Sequence, residues 1–94
     1  MRRYSHRLDP EQKAIVAALR ATGCSVLSLA RLGGGCPDLL VGLNGTTFLI
    51  EVKAGRTPWK PVQRKFFETW RGHVATVATV DEALAVIRPE RSKP

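Results

Sequence analysis

Pro37-Asp38-Leu39-Leu40-Val41-Gly42-Leu43-Asn44-Gly45-Thr46-Thr47-Phe48-Leu49-Ile50-Glu51-Val52-Lys53 reads as two short apolar runs joined by Asn-Gly, the strongest short-range hairpin signal a sequence can carry. A two-residue turn at Asn44-Gly45 pairs Leu43 with Thr46 and, stepping outward, sets Asp38 directly across from Glu51. Directly opposed side chains share a face, with Cβ atoms roughly 4.5–5.5 Å apart. Two carboxylates so placed repel each other unless something neutralises them. Lys53, two residues beyond Glu51, falls on the same face by the period-two rule. The opposite face, with Leu39, Val41, Leu43, Phe48 and Ile50, is largely apolar and is expected to pack on helices. The Asp38 face also carries Leu40, Gly42, Thr47 and Leu49, so it is part core and part cleft. Two opposed acids with an adjacent base have the makings of a divalent-metal site.

Upstream of the hairpin, Leu8-Asp9-Pro10-Glu11-Gln12 carries helix-start signals. Asp9 is a good N-cap, Pro10 suits the first helical position, and Gln12 completes a capping-box pattern. Ile15, Val16, Ala18 and Leu19 keep helical spacing, and Gly23 is placed to end the helix. Residues 24–30 are short and apolar and read as a strand. Arg31-Leu32-Gly33-Gly34-Gly35-Cys36 leads into the hairpin. Its glycines lack the Gly-Lys-Ser/Thr ending of a phosphate loop and precede a strand rather than a helix, which excludes that motif. They are expected to permit a tight turn or a close backbone approach before Pro37.

Downstream, residues 54–61 form a basic loop, and a helix is predicted from about 62 to 71. Val62, Phe66, Phe67 and Trp70 lie on one side of it, with Gly72 as its stop. Residues 73–79 alternate as a fourth strand. Thr79-Val80-Asp81-Glu82 is a capping box for a last helix running to Ile87 or Arg88, which Pro89 stops. Residues 1–8 read as a basic arm, 9–88 as the core of a single domain, and 89–94 as a tail.

The chain has 94 residues, of which 44% are hydrophobic, and a formal net charge of +7. Its pI is near 10.3. A balance this basic favours a polyanionic partner, nucleic acid being the commonest. No apolar stretch approaches the roughly 20 residues needed to span a bilayer. The basic start is followed by no apolar region of a secretory signal, so a cytoplasmic location and no membrane partner are expected. Cys24 and Cys36 lack a CxxC partner and are expected to be free thiols. His6 and His73 lack ligand spacing, which argues against a zinc-type or HNH nuclease.

Mg²⁺ at phosphate-processing sites is usually held by one or two carboxylates, with water and substrate phosphate completing the shell. Asp38 and Glu51 supply two carboxylates, and the backbone carbonyl of Val52 is a third candidate oxygen. Lys53 is a candidate to orient the attacking water or to stabilise developing negative charge. On its own, Lys53 also fits a surface ion pair that neutralises the two acids.

Taken together, Gly35-x-Pro37-Asp38-Leu39-Leu40-Val41, then Ile50-Glu51-Val52-Lys53, then Gln63 at the start of the next helix resemble the PD-(D/E)xK nuclease superfamily and, within it, the VRR-NUC type of domain. Trp70-x-Gly72 and Asp81-Glu82-Ala83-Leu84 extend the likeness to small phage- or prophage-encoded members, so that it covers roughly residues 9–88. The resemblance implies an α/β, restriction-endonuclease-like core of order αβββαβα, with a mixed four-stranded sheet flanked by helices. It also implies Mg²⁺- or Mn²⁺-dependent hydrolysis of DNA in a bacterial or phage-infected cell. Asp38 and Glu51 would be the ligands, Lys53 the catalytic lysine and Gln63 an accessory residue of the site. The family often adds an acid from the first helix, for which Asp9 and Glu11 are the candidates. Gln12 matches a recurrent glutamine of the phage-type members.

Arg31, Arg56, Lys60, Arg64 and Lys65 are candidate DNA contacts, and Trp59 is expected to pack under its loop rather than to stack on a base. A chain this small covers little DNA, so a homodimer presenting two sites is the natural arrangement. The substrate could be linear duplex or a branched form such as a Holliday junction, flap or fork. The competing reading is a catalytically silent DNA-binding module of the same fold, in which the opposed acids would be a cost with nothing to offset it.

Overall fold

The computed structural model describes residues 10–55 and 57–88. Asp9, Arg56, Pro89, the basic arm and the tail lie outside them. The described elements run α1 (Pro10–Ala21), β1 (Ser25–Ser28), β2 (Leu39–Leu43), β3 (Thr46–Val52), α2 (Pro61–Thr69), β4 (Val74–Val77) and α3 (Val80–Ile87). The four strands form one mixed sheet in the order β1-β2-β3-β4. The first two pairings are antiparallel, and β3 with β4 is parallel. Among the described residues no helix is long and apolar enough to cross a membrane.

The hairpin turn sets the register. Asn44 has φ 52° and Gly45 φ 82°, the pair of positive values that a type I′ turn demands and that Asn-Gly tolerates best. Leu43 pairs with Thr46 and Leu39 with Ile50, as the two-residue turn predicts. The ladder stops there. Asp38 precedes β2, and its carbonyl accepts from the Leu29 N–H at 2.8 Å, so its backbone bonds toward β1.

Alternation then sorts the side chains by face. Leu39, Val41, Ile50 and Val52 enter one core with Val26, Val77, Ile15, Leu19, Ala83 and Ile87. That core lies between the sheet and the pair α1 and α3. Each fully buried aliphatic side chain contributes about 1.5–3 kcal/mol, so this face carries most of the stability. The helices have local reasons to form. The Gly23 N–H donates to the Arg20 carbonyl and the Cys24 N–H to the Leu19 carbonyl, the two bonds of a Schellman cap. Thr79 caps α3 by accepting from the Glu82 N–H at 3.1 Å. Glu82 reciprocates on the Ala78 N–H at 2.6 Å, one residue earlier than the usual capping box.

The second helix departs from expectation. It begins at Pro61 and ends at Thr69, with Trp70 extended as its C-cap, so Gly72 is not its stop. None of its residues is buried, and Val62 and Trp70 are 53% and 46% exposed. Its aromatics find each other instead. Phe66 stacks on Trp70 with centroids 5.1 Å apart, and Phe67 meets Trp59 edge-on at 4.9 Å. The helix is anchored at its first turn, where Gly35 passes against the Val62 backbone at φ 83°. A Cβ at Gly35 would overlap the Val62 carbonyl, and the positive φ adds strain of its own. Gly35→Ala should therefore lower stability by roughly 2 kcal/mol or more, read as a lower urea midpoint at unchanged slope.

Candidate functional site

Four residues singled out in the sequence meet where β3 ends and α2 begins. Glu51, on the face opposite the core, is 3% exposed. Its Oε2 accepts from Gln63 Nε2 at 3.1 Å and lies 3.7 Å from Lys53 Nζ. Its Oε1 is buried and has no hydrogen-bond partner among the described residues. Asp38 joins them from the start of β2. Its side chain does not simply stand opposite Glu51, as a continued ladder would place it; Asp38 Oδ2 accepts from the Val52 N–H at 2.7 Å. That bond turns the carboxylate across the hairpin toward the last residue of β3. A strand residue sends its N–H and carbonyl to the same edge, so the Val52 carbonyl leaves on the Asp38 side.

Gln63 is the joint between sheet and helix. Its Oε1 accepts from Lys53 Nζ at 2.8 Å and from the Lys60 N–H at 3.0 Å, while its Nε2 serves Glu51. The amide therefore turns its acceptor to the cation and its donor to the anion. The bond to Lys60 also satisfies one of the orphan donors at the start of α2. One side chain thus caps a helix and orders two charged groups.

The electrostatics are unbalanced. Burial, followed by the nearby Asp38 charge, pushes the Glu51 carboxyl up from 4.5 to about 7, against the opposing pull of Lys53. A buried carboxylate oxygen without a donor is costly, and a second acid beside it adds to the cost. Cys36, just before Asp38, is a free thiol, raised by its burial and by the charges of Asp38 and Glu51.

Other residues sort differently. Glu11 is exposed in the first turn of α1, and among the described residues no ion pair or hydrogen bond links it to the cluster. Gln12 is buried. Asp9 and Arg56 lie outside the described residues. Arg31, Lys60, Arg64 and Lys65 are all exposed. An open cleft of about 450 Å³ on α2 gathers Arg64 and Lys65 with Trp59 and Pro61, and with Glu68 and Thr69 at its far end. Two contacts were not read from the sequence: the Pro58 carbonyl accepts from Lys53 Nζ at 3.0 Å, and the Trp59 ring lies 5.1 Å from the same atom. The Pro58-Trp59-Lys60-Pro61 run was the available signal, since two prolines stiffen whatever they bracket.

Among the described residues no three His, Cys, Asp or Glu side chains cluster to hold a metal. Two carboxylates nonetheless suit a cation that takes its remaining ligands from water and phosphate. The partnerless Glu51 oxygen and the raised Glu51 carboxyl mark this as the place where positive charge would be stabilising. In comparisons with protein-family models, with curated proteins and with solved structures, nothing matches this chain.

The Glu51 shift has a defined sign. Unfolded, the group loses its proton near 4.5; folded, near 7. The folded state holds the extra proton between these values, so metal-free stability should fall as pH rises through that window, by up to about 3 kcal/mol. Urea unfolding at pH 5 and pH 8 should show the loss, and Glu51→Gln should flatten it. Mn²⁺ or Mg²⁺ should raise stability at pH 8 in the parent chain and not in Glu51→Gln.

Proposed function

We propose that this chain is a divalent-metal-dependent DNA endonuclease with a restriction-endonuclease-like core, resembling VRR-NUC-type members of the PD-(D/E)xK nucleases. The observation that carries the reading is the buried Glu51 carboxylate. It is 3% exposed and sits between Asp38 and Lys53, with one buried oxygen that has no hydrogen-bond partner among the described residues, at the foot of a helix whose first turns are basic.

Asp38 and Glu51 would hold the ion, with the Val52 carbonyl as a further oxygen donor. A bound Mg²⁺ or Mn²⁺ supplies positive charge that stabilises the phosphoryl transition state and makes water acidic enough to attack. The chain's own groups do the rest. The Val52 N–H fixes Asp38, and Gln63 fixes both Glu51 and Lys53. Lys53 presents an ammonium beside Glu51, where it can orient a water or stabilise charge developing on the phosphate. Burial strengthens each of these interactions relative to water.

Lys60, Arg64 and Lys65 are exposed at the start of α2, the helix that Gln63 ties to that cluster, and Arg31 is exposed in the loop that Gly35 packs against α2. Together they would neutralise backbone phosphates flanking the bond to be cut. A homodimer would offer two sites to two strands, suited to linear duplex or to a junction, flap or fork.

Purified protein incubated with linear and branched DNA should cut in Mg²⁺ or Mn²⁺ and not in EDTA. Asp38→Ala and Lys53→Ala should each lower the rate on the order of 100-fold or more. Absence of cleavage with every metal and substrate would refute the enzyme, and salt-sensitive binding without cleavage would point to a silent module. Arg64→Ala and Lys65→Ala should each weaken binding across sequences and reduce the salt slope by about one.

A further inference from the structure

The Lys53 ammonium is held by more than the acid it faces. Its three protons have two close acceptors, Gln63 Oε1 at 2.8 Å and the Pro58 carbonyl at 3.0 Å. Glu51 Oε2 stands further off at 3.7 Å, and the Lys53 side chain is only 10% exposed. A further neighbour is the Trp59 ring, 5.1 Å from Nζ to centroid. An ammonium within about 6 Å of an indole centroid is attracted by the ring quadrupole, most strongly when desolvated. Just past the end of β3, the Lys53 backbone is fixed by β4, since its N–H donates to the Val77 carbonyl at 2.8 Å. The four-carbon stem beyond that point takes its direction from what surrounds Nζ.

The indole is itself fixed. Phe67 meets it at an interplanar angle of 85° and a centroid distance of 4.9 Å. Pro58 and Pro61 bracket it and restrict the loop backbone. Thr57 Oγ1 donates to the Ala54 carbonyl at 2.9 Å, closing the turn that carries the chain from Lys53 to Pro58. The ring therefore presents a preformed surface to the ammonium.

We propose that Trp59 is a positioning residue for Lys53, its ring and the adjoining Pro58 carbonyl fixing where the ammonium sits beside Glu51. The role rests on the hydrolase reading above, because positioning has meaning only where Lys53 acts on a substrate. A ring committed to Lys53 and Phe67 is poorly placed to stack on a base, so the effect of Trp59 falls on turnover rather than on DNA affinity.

The test uses the full chain and a DNA substrate that the parent protein cuts. Trp59→Leu should lower kcat about ten- to hundredfold with KM for DNA unchanged, and Trp59→Phe should restore most of the loss. In a Lys53→Met background Trp59→Leu should cost nothing further. Trp70→Phe leaves Trp59 as the only indole, and in that protein Lys53→Met should shift the fluorescence emission. This last readout needs no cleavage and no Trp59→Leu variant that folds. A raised KM at unchanged kcat would overturn the proposal in favour of a DNA-stacking ring. Loss of kcat in Trp59→Leu that Trp59→Phe does not restore, additive losses with Lys53→Met, or emission indifferent to Lys53→Met would also overturn it. A parent chain that cuts nothing removes the hydrolase reading and this role together; cleavage indifferent to Trp59→Leu removes this role alone.

Discussion

Two positive φ values at Asn44 and Gly45 determine which side chains of the hairpin are structural and which are chemical. A two-residue type I′ turn leaves no freedom in register, and a slip of one residue in a strand would move every side chain to the other face. In such a slip Glu51 would face the α1 and α3 core, and Ile50 would face Gln63. A carboxylate has no partner among Ile15, Leu19 and Ala83, so that arrangement is excluded by the cost of burying unpaired charge. The turn and the core thus reinforce one another. Asp38, Glu51 and Lys53 come together as a consequence.

The two faces of the sheet are held by different forces. On one, aliphatic side chains from four strands and two helices close a continuous core. On the other, α2 buries none of its own residues and is tied down at its start. Gly35 lies under Val62, and Gln63 reaches Glu51 and Lys53. Polar contacts give modest net stability compared with apolar burial, but they are directional. A helix held this way places a few atoms accurately while leaving its basic side chains free in solvent. The complete core opposite is what allows a strained, charge-rich corner to persist.

The legibility of the sequence follows the same division. Period-two alternation and Asn-Gly are local signals, so the faces of β2 and β3 and the nearness of Asp38, Glu51 and Lys53 could be read directly, whereas Gln63 entered through the resemblance of the motifs. The end of the ladder could not be read that way. Beyond it the Leu29 N–H bonds the Asp38 carbonyl and the Val52 N–H its carboxylate, which brings together residues far apart in the chain. The packing of the apolar side of α2 was not legible either: Phe66 pairs with Trp70 within the helix region and Phe67 with Trp59, contacts that helical spacing alone does not specify. The Pro58 carbonyl beside Lys53 carried no signal beyond the two prolines that bracket Trp59, because any residue has a carbonyl.

The bonding of Lys53 differs from that of an ion pair built for stability. A pair built for stability would match one acid to one base and satisfy every oxygen, since an incompletely paired buried ion costs more than an apolar replacement. Here Lys53 gives its two shortest bonds to neutral oxygens on Gln63 and Pro58 and stands 3.7 Å from Glu51. Glu51 therefore has its base at arm's length, and burial, followed by the Asp38 charge, raises its carboxyl to about 7. Such a corner would repel a phosphate that approached it unaided. Under the proposed reading a divalent ion held by Asp38 and Glu51 would supply the positive charge that reverses that sign. Lys53, already anchored by neutral groups, then keeps its place when the charge on Glu51 is taken up by the ion, which is what a lysine acting on the substrate requires.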